Sequence, residues 1–486
     1  MSSKLSTAIK WSFLTEVASK LIRPVAFLVL GRFLLPEDFG VVAAAMMVIA
    51  FSQVFWEAGM SKAIIQRKKN LFTAASTAFW INISFAIIIL SLIWIFSNNI
   101  ALTLFQNADV GPVLRVMCFY ILLVSLGAVH VAKMQREMDF EKLFWIRLIS
   151  FGVPAFISVP LAIYGLGYWA VIFSTIIGEL ANLIIIWRSS KWRPQFIFSV
   201  RIARELAGFG FWVSLSALLA WFYLWGDSLF VGLYLTGHDL GIYRYGTMAI
   251  ASIFSVLAGP ILPVIYSYLS DEFRKQTERS SVISKVLLGE RIMASGLFTA
   301  TLFIFYFADF FVLTLLGNEW TDLSEIIALI ALSSSIAFTV SLKQEAYRAF
   351  GRPDVETKIM SISLLVRVIF YMFSVQHGLI IFLYARLVST VIGVFNHLTF
   401  ARVILNLPYY EYFRQNGRVF ALFLLFMLLG SNSFLDSVST FNKDFVLIFL
   451  FASYMALLSL AEIKVFKNLY HAIRPPDTEK LSSKMV

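Results

Sequence analysis

The sequence has few of the groups on which soluble enzymes and disulfide-stabilised proteins depend. Only 14% of the 486 residues are charged, and cysteine occurs once, at Cys118. A single cysteine excludes an intrachain disulfide and leaves the redox compartment open. The five histidines lack the spacing of metal ligands, and no G-x-x-x-x-G-K-[ST] stretch occurs, which excludes ATP binding through that motif. No Ser-His-Asp or Cys-His arrangement can be assigned to the loops. The sequence therefore predicts neither an enzyme nor a metal or organic cofactor.

Apolar residues, by contrast, are abundant. They make up 59% of the chain, and the mean hydropathy is +0.80, values typical of a multi-pass membrane protein. Apolar runs of about 18–25 residues predict about fourteen transmembrane helices. They lie near residues 12–35, 39–60, 73–96, 113–132, 143–163, 168–187, 209–235, 243–266, 292–316, 324–342, 359–376, 379–400, 419–433 and 446–463.

The basic residues are distributed unevenly between the two sides of this predicted bundle. Thirty-one of the 40 Lys and Arg residues fall on the N-terminus, the even-numbered loops and the C-terminal tail, and four on the odd-numbered loops. The positive-inside rule then predicts that both termini are cytoplasmic. The net charge of +11 is explained by topology and does not indicate nucleic-acid binding. The connections on the other side are too short for an extracytoplasmic catalytic domain. The first ten residues lack the apolar core of a removable signal peptide.

An internal repeat relates the two halves of the chain. A shift of 201 residues aligns the first two predicted spans with the seventh and eighth, and pairs Gly31 with Gly232 and Gly40 with Gly241. Trp11/Trp212 and Asp38/Asp239 match as well. Because six spans separate the copies, they begin on the same side of the membrane. This predicts an all-α polytopic protein with two parallel six-helix lobes related by a pseudo-twofold along the membrane normal, followed by two further helices. The predicted domains are 1–200, 201–405 and 406–486.

Charged residues inside the predicted spans are the candidate functional groups. Lys20 and Arg23 share a helix face with Glu16 near the middle of the first span, where an uncompensated charge costs about 2.5–3.5 kcal/mol. A basic face within a membrane bundle favours a pathway for an anion. The second copy has Trp221 and Leu224 at the positions of Lys20 and Arg23. Three further arginines lie within spans and are candidates for the same cavity, with internal ion pairs or interface anchoring as the alternative: Arg147, Arg367 and Arg386.

Intramembrane carboxylates and aromatic residues form two further candidate sets. Carboxylates that could carry a proton or bind sodium, or else serve only as structural hydrogen-bonding groups, are Glu16, Glu57, Glu179 and Asp227. Aromatic residues of the seventh span that could stack on sugars, or else only pack, are Trp221, Tyr223 and Trp225. Pro24, directly after Arg23, removes one backbone donor and could kink the first helix either as a hinge or as a static bend.

Short motifs throughout spans one to twelve resemble bacterial polysaccharide-transporter flippases of the O-antigen and exopolysaccharide type. These belong to the multidrug, oligosaccharidyl-lipid and polysaccharide exporter superfamily. The matching stretches are Leu-Pro-Glu-Asp-Phe-Gly at 35–40, Glu-Ala-Gly-Met-Ser-Lys-Ala-Ile-Ile-Gln-Arg-Lys at 57–68, Gln-Arg-Glu-Met-Asp-Phe at 135–140, Trp-Arg-Pro at 192–194, Asp-Leu-Gly-Ile-Tyr at 239–243, Leu-Gly-Asn-Glu-Trp at 316–320 and Ala-Phe-Gly-Arg-Pro at 349–353.

The resemblance implies a flippase that moves undecaprenyl-diphosphate-linked oligosaccharide from the cytoplasmic to the periplasmic leaflet of the bacterial inner membrane by alternating access. It also implies that Lys20 and Arg23 match, by location, basic cavity residues of relatives that flip the peptidoglycan precursor. Membrane lipids, and a polysaccharide polymerase or ligase, are the implied partners. Two alternatives stay open: a multidrug/cation antiporter of the same superfamily, which needs an acidic cavity, and a membrane polysaccharide polymerase, which needs a large extracytoplasmic loop.

Overall fold

The computed structural model describes residues 2–56, 60–67, 69–258, 269, 279–349, 351–431, 435 and 443–473. Within these residues the chain forms α-helices joined by short connections and contains no β-strand. Twelve helices in this part of the chain are long and apolar enough to span a membrane. The predicted all-α, multi-pass membrane fold is therefore confirmed.

Fourteen long helices and two short ones are present in the described residues. In chain order they are α1 (Ser2–Phe33), α2 (Pro36–Trp56), α3 (Met60–Gln66), α4 (Leu71–Leu104), α5 (Val110–Arg136), α6 (Phe140–Ile163), α7 (Tyr168–Ser189), α8 (Val200–Tyr234), α9 (Gly237–Ala258), α10 (Arg279–Leu315), α11 (Thr321–Phe338), α12 (Ser341–Ala349), α13 (Pro353–Ser374), α14 (Leu379–Leu405), α15 (Tyr409–Leu429) and α16 (Lys443–Ile473). Short 3₁₀ turns precede α11 (Asn318–Trp320) and α14 (Val375–His377).

Each predicted span coincides with one of the long helices, but two of these helices do not meet the criterion for a membrane span. The described apolar part of α1 is short, Pro24–Phe33, and α15 is not among the twelve. The first half of α15 carries Glu411, Arg414 and Arg418, which lowers its hydropathy. The first and thirteenth spans therefore stay predictions.

The two repeat copies begin their second helices with the same cap. The Asp38 carboxylate accepts a hydrogen bond from the Leu35 amide at 2.9 Å, before α2. The Asp239 carboxylate accepts one from the Thr236 amide at 3.1 Å, before α9. Each aspartate accepts a hydrogen bond from an amide that has no partner within the helix. Its negative charge also interacts favourably with the positive end of the helix dipole. The aspartate of the repeat therefore sets the turn between two helices in both copies.

The chain divides into two compact units that do not follow the repeat boundaries. The first unit comprises Met1–Ser252, Phe310–Ile326 and Arg367–Ala385, and the second comprises Ile253–Asp309, Ile327–Val366 and Arg386–Val486. In the first unit α4 packs along α5, and α6 packs along both α1 and α7. Gly178 of α7 lies against the ring of Pro154 in α6, where a larger residue would not fit. The predicted domains 1–200, 201–405 and 406–486 stay a prediction.

Glycines of the two repeat copies pack against each other within the first unit. A side chain at Gly40 would overlap the carbonyl group of Gly237, and one at Gly241 would overlap that of Pro36. Gly237 is the repeat equivalent of Pro36, so the two contacts are reciprocal. Reciprocal contacts of equivalent residues are the pattern that a local twofold axis produces. We call this crossing of the starts of α2 and α9 the glycine junction.

A second pair of repeat glycines, Gly31 and Gly232, also makes equivalent contacts in the two copies. A Cβ at Gly31 would lie 2.7 Å from a Leu316 side-chain carbon, and one at Gly232 would lie 3.2 Å from the Phe105 ring. Phe105 directly follows α4 and Leu316 directly follows α10, the third and ninth predicted spans. Each copy thus packs its glycine against the helix end of the other copy. The repeat found in the sequence therefore marks a real contact surface, whereas the symmetry of the complete lobes stays a prediction.

Candidate functional site

A cavity of about 560 Å³ lies within the first unit, between α2, α3, α5, α7 and α8. Its apolar and small lining residues come from regularly spaced positions, for example Val124, Gly127, Ala128 and Val131 along one face of α5. Its polar and aromatic lining residues are Gln53, Ser61, Lys62, Gln135, Glu179, Asn182, Trp221 and Trp225. Such a mixture of apolar walls and a few polar groups is typical of a ligand pocket.

One turn of α7 supplies the acidic part of the cavity. Glu179 is 8% exposed, and the side-chain amide of Asn182 donates to it at 3.1 Å. The two residues lie one helical turn apart, so both side chains reach the same wall. The carbonyl oxygen of the Asn182 side chain is buried and has no hydrogen-bond partner in the described part of the chain. Because buried polar atoms are nearly always satisfied, this oxygen is available to a ligand hydroxyl.

The aromatic part of the cavity wall comes from α8. Trp221 and Trp225 are spaced i, i+4 and share one helix face. Trp221 is 7% exposed, and its indole N–H lacks a hydrogen-bond partner within the described residues. Flat aromatic rings beside unpaired donors and acceptors suit a ligand that offers both apolar C–H faces and hydroxyl groups.

Two arginines stack on this same helix. The Arg244 guanidinium lies 3.7 Å from the ring centroid of Trp225, and that of Arg367 lies 4.6 Å from the centroid of Tyr223. Arg367 also donates to the Tyr223 hydroxyl, at 3.5 Å. A guanidinium held over an aromatic face keeps its N–H groups available at the ring edge, where they can bind oxygen anions. Trp225 therefore joins the cavity wall to a fixed cation.

A hydrogen bond between α8 and α9 fixes the position of the residue next to Arg244. The Tyr243 hydroxyl donates to the Asp227 carboxylate at 2.5 Å, and the Ser228 amide donates to the other oxygen of Asp227 at 2.8 Å. Tyr243 is fully buried and directly precedes Arg244. Asp227, predicted as a coupling or cavity carboxylate, thus lies in a hydrogen-bonded contact between two helices.

A histidine bridges two carboxylates beside the glycine junction. His238 Nδ1 lies 2.6 Å from Glu37 Oε1, and His238 Nε2 lies 3.1 Å from Asp322 Oδ2. Glu37 is the repeat equivalent of His238, so the bridge also joins the two copies. The contact is an ion pair only while the imidazole is protonated. We call this set the His238 bridge.

Several predicted site residues fall outside what the structure describes. The backbone of Glu16, Lys20 and Arg23 lies in α1, but their side chains are outside the described residues. Glu57 lies outside the described residues altogether. The predicted roles of these four residues remain predictions. Pro24 lies inside α1, and the helix continues through it.

The remaining predicted residues are divided between the two units. Glu179, Trp221 and Trp225 line the cavity. Arg147 is exposed on α6 and is not among the lining residues of the cavity. Arg386 belongs to the second unit.

Sequence reasoning missed two cations of the site. Arg244 lies at the edge of the predicted eighth span, which begins at residue 243, whereas α9 begins six residues earlier at Gly237. Lys62 falls between the predicted second and third spans, whereas in the structure it lies on the short helix α3 and lines the cavity. The aromatic partner of Arg244, nineteen positions away on another helix, gives no local signal in the sequence.

The fold resembles that of two solved membrane proteins. The structure of the lipid II flippase MurJ in an inward closed conformation superposes with a TM-score of 0.73 at 13% identity, covering 94% of this chain and 100% of that one. An inward-facing multidrug resistance transporter of the MATE family superposes with a TM-score of 0.59 at 13% identity, covering 81% and 98% of the two chains. At such low identity these likenesses show the fold alone.

Sequence comparison identifies the family. The model of the polysaccharide biosynthesis protein family matches residues 29–325, so the chain belongs to that family. The succinoglycan biosynthesis transport protein ExoT of Rhizobium meliloti (strain 1021) is 26% identical over 332 residues, which span 67% of this chain and 65% of that protein. The teichuronic acid biosynthesis protein TuaB of Bacillus subtilis (strain 168) is 23% identical over 361 residues, 73% of each chain. The predicted family is confirmed, and the name of ExoT describes a transport protein.

Proposed function

We propose that this chain is a flippase for undecaprenyl-diphosphate-linked oligosaccharide in surface polysaccharide biosynthesis. The observation that carries the proposal is Trp225, which lines the cavity and also stacks with the Arg244 guanidinium. A substrate of this class has a sugar part that stacks on aromatic rings and a diphosphate that needs fixed cations. The relatives named for polysaccharide transport support the same class of cargo.

The charge of the cavity favours this reading over a cation antiporter. Its described lining contains one lysine and one glutamate, Lys62 and Glu179, and the Arg244 guanidinium stacked on Trp225 is balanced by the nearby Asp227 carboxylate, so carboxylates are not in excess. A site that concentrates cationic drugs should instead carry an excess of carboxylates. Lys20 and Arg23, if they face the same space as predicted, would make the cavity positively charged.

The position of the cavity fits alternating access. Its lining includes Ser61, Lys62 and Ile65 of α3, which belongs to the predicted cytoplasmic connection between the second and third spans. The glycine junction and the His238 bridge lie in the predicted extracytoplasmic connections of the same unit. In this arrangement a headgroup enters from the cytoplasmic leaflet while the opposite end is closed. Opening the junction would then release it, with the polyprenyl chain remaining in lipid.

The location of the protein follows from the same proposal. We place it in the bacterial inner membrane with both termini cytoplasmic, as the distribution of Lys and Arg indicates. A polymerase or ligase that consumes the flipped oligosaccharide is the expected partner on the outer leaflet. Coupling to protons or sodium through Glu16, Glu57, Glu179 or Asp227 remains a prediction.

The test begins with complementation of a strain that lacks the flippase of a surface polysaccharide pathway. Lipid-linked oligosaccharide extracted from the complemented host is then translocated by the purified chain in proteoliposomes. Trp225→Ala and Arg244→Gln should each lower the rate about tenfold, which corresponds to about 1.4 kcal/mol of lost binding. Trp94→Ala is the matched control, because Trp94 is 45% exposed on α4 and does not line the cavity.

Two further arms separate the alternatives. Lys20→Ala/Arg23→Ala should abolish translocation at normal expression if α1 binds the diphosphate, whereas wild-type rates would leave these residues as structural charges. A wild-type protein that moves no lipid-linked oligosaccharide but exports organic cations would contradict the proposal and favour the antiporter.

A further inference from the structure

A fully buried ion pair lies in the second unit, among residues that the proposed cavity does not use. Glu290 of α10 and Lys343 of α12 form a hydrogen-bonded salt bridge, and both side chains are 0% exposed. Removing two charges from water is costly, and a buried pair commonly contributes little to stability compared with apolar residues of similar size. A pair of this kind inside a membrane protein is therefore a candidate functional group.

The carboxylate of this pair is only half satisfied. One oxygen of Glu290 accepts from the Lys343 ammonium, whereas the other, Oε1, is buried without a hydrogen-bond partner in the described part of the chain. A buried carboxylate oxygen with no donor is a strong position for a proton, because protonation removes the unsatisfied charge. A sodium ion would need several oxygen ligands and would lie beside an ammonium group, so the site suits a proton.

The Lys343 ammonium also has a cation–π contact that stabilises its positive charge. Its ammonium lies 4.5 Å from the ring centroid of Tyr412 on α15. The Tyr412 hydroxyl donates to Thr339 Oγ1 at 2.8 Å, which fixes the ring. If Glu290 becomes neutral, the lysine can keep its positive charge against this aromatic face. The pair therefore has two electrostatically reasonable states that differ by one proton.

The other titratable groups around the pair come from three helices. Tyr347 of α12 and Tyr412 of α15 interact electrostatically with Glu290, and His397 of α14 interacts with Lys343. The Tyr347 hydroxyl donates to the His397 backbone carbonyl at 3.2 Å. The Nδ1 atom of His397 is buried and lacks a hydrogen-bond partner within the described residues. These groups add no second carboxylate to the pair, and a protonated His397 would be repelled by the Lys343 ammonium, so Glu290 is the better proton acceptor.

We propose that Glu290, paired with Lys343, is the proton-binding site through which a proton gradient drives translocation. An O–H bond forms at Glu290 Oε1 when a proton enters from one side, and it breaks when the proton leaves on the other side. Lys343 stays protonated throughout, so the site gains one positive charge and then loses it. The inference rests on the proposed flippase function for its cargo, but the proton site can be measured without any cargo.

The neighbouring ion pair of α10 provides a matched control. Arg291 Nη2 donates to Glu462 Oε1 at 2.8 Å, and Arg291 Nε lies 2.8 Å from Oε2, within ion-pair distance but without hydrogen-bond geometry. Its guanidinium compensates both oxygens and does not deprotonate in proteins. This pair also uses a residue of α10, lies in the same unit and is largely buried, but a guanidinium nitrogen lies within 2.8 Å of each carboxylate oxygen. It should be structural.

The first measurement needs only the purified full-length chain. An infrared difference spectrum between about pH 5 and about pH 8 should contain the carbonyl band of a protonated carboxylic acid. Glu290→Gln should remove this band, and Arg291→Gln/Glu462→Gln should keep it. A band that is unchanged in Glu290→Gln, or absent from the wild type, would overturn the proton site whether or not the protein is a flippase.

The second measurement adds cargo and a gradient in proteoliposomes. With one proton exchanged per lipid-linked oligosaccharide, an imposed gradient of about one pH unit should change the steady-state distribution between leaflets about tenfold. Glu290→Gln should still translocate without a gradient but show no gradient effect. If Glu290→Gln is unstable, Glu290→Gln/Lys343→Gln keeps the core neutral and should also lack the effect. A normal gradient effect in either variant would refute coupling at this site, whereas failure of the wild type without any gradient would refute the flippase itself.

Discussion

The glycine junction should not tolerate a methyl group, and this gives a quantitative prediction. In Gly241→Ala the new Cβ would lie 1.7 Å from the carbonyl oxygen of Pro36 and 2.6 Å from its carbonyl carbon. Carbon and oxygen atoms approach to about 3.3–3.6 Å even in close C–H···O contacts, so the start of α2 or α9 has to move by about 1.6 Å or more. The contacted atoms belong to the backbone of Pro36 and Gly40, which cannot rotate away from the new methyl group as a side chain could. Overpacking of this kind costs about 1–3 kcal/mol.

If the junction is the closed end of an alternating-access cycle, this cost falls on the closed state alone. A difference of about 1–3 kcal/mol shifts the closed-to-open ratio by about 5–150-fold. Because the contact is reciprocal, Gly40→Ala should act in the same direction. Gly226→Ala on α8 is the control, since a Cβ there would have no heavy atom within 4 Å.

Labelling of an introduced cysteine measures the opening directly. Leu34 is 2% exposed beside the junction, and the chain's own Cys118 is buried, so its background should be low. In Leu34→Cys protein, adding Gly241→Ala should raise the rate of reaction with a membrane-impermeant maleimide and lower the Tm, whereas adding Gly226→Ala should change neither. If Gly241→Ala labels and melts like Gly226→Ala, the junction is not a closed contact and the reasoning is wrong.

Three other predictions follow from single contacts. His238→Ala should remove the pH dependence of junction opening between about pH 6 and pH 8, because the bridge holds only while histidine is protonated; maleimide labelling in Leu34→Cys protein measures it. Gly430→Ala should lower the Tm by several degrees, since its Cβ would overlap the Tyr306 ring, and an unchanged Tm would contradict that packing. The Arg67 hydrogen bond lowers the pKa of Glu205 from 4.5. Glu205→Gln should therefore lower the Tm slightly at pH 7, and this difference should shrink as the pH falls below 4.5.

The fold was largely predictable because the signal for each membrane helix is local. An apolar run of the right length identifies a helix without knowledge of its neighbours, and every predicted span coincides with a long helix. Helix ends were less predictable. The helices α8, α10 and α15 begin at Val200, Arg279 and Tyr409, all before the apolar runs that predicted them. Their first turns are polar, so hydropathy does not register them.

The candidate site was only partly predictable for a different reason. Glu179, Trp221 and Trp225 attracted attention as polar or aromatic residues within apolar runs, and all three line the cavity. Lys62 lies outside any apolar run, and Arg244 lies at the predicted edge of one. Hydropathy therefore marks neither residue as part of a cavity within the bundle. Their relation to the cavity arises from packing between helices that are distant in the chain, which no single-sequence pattern contains.

Both copies of the repeat contain the glycines of the junction, whereas the two copies differ at the positions predicted to contact the substrate. Gly40 and Gly241 are identical because each must let the other copy's backbone approach, and any side chain would prevent this. At the cavity the same repeat pairs Trp221 with Lys20 and Leu224 with Arg23. The copy on α8 thus presents an aromatic wall suited to sugars, and the copy on α1 carries the cations predicted for a diphosphate. The proposed substrate has a sugar part and a diphosphate, which matches this asymmetry, whereas the proposed opening and closing would use the symmetric junction.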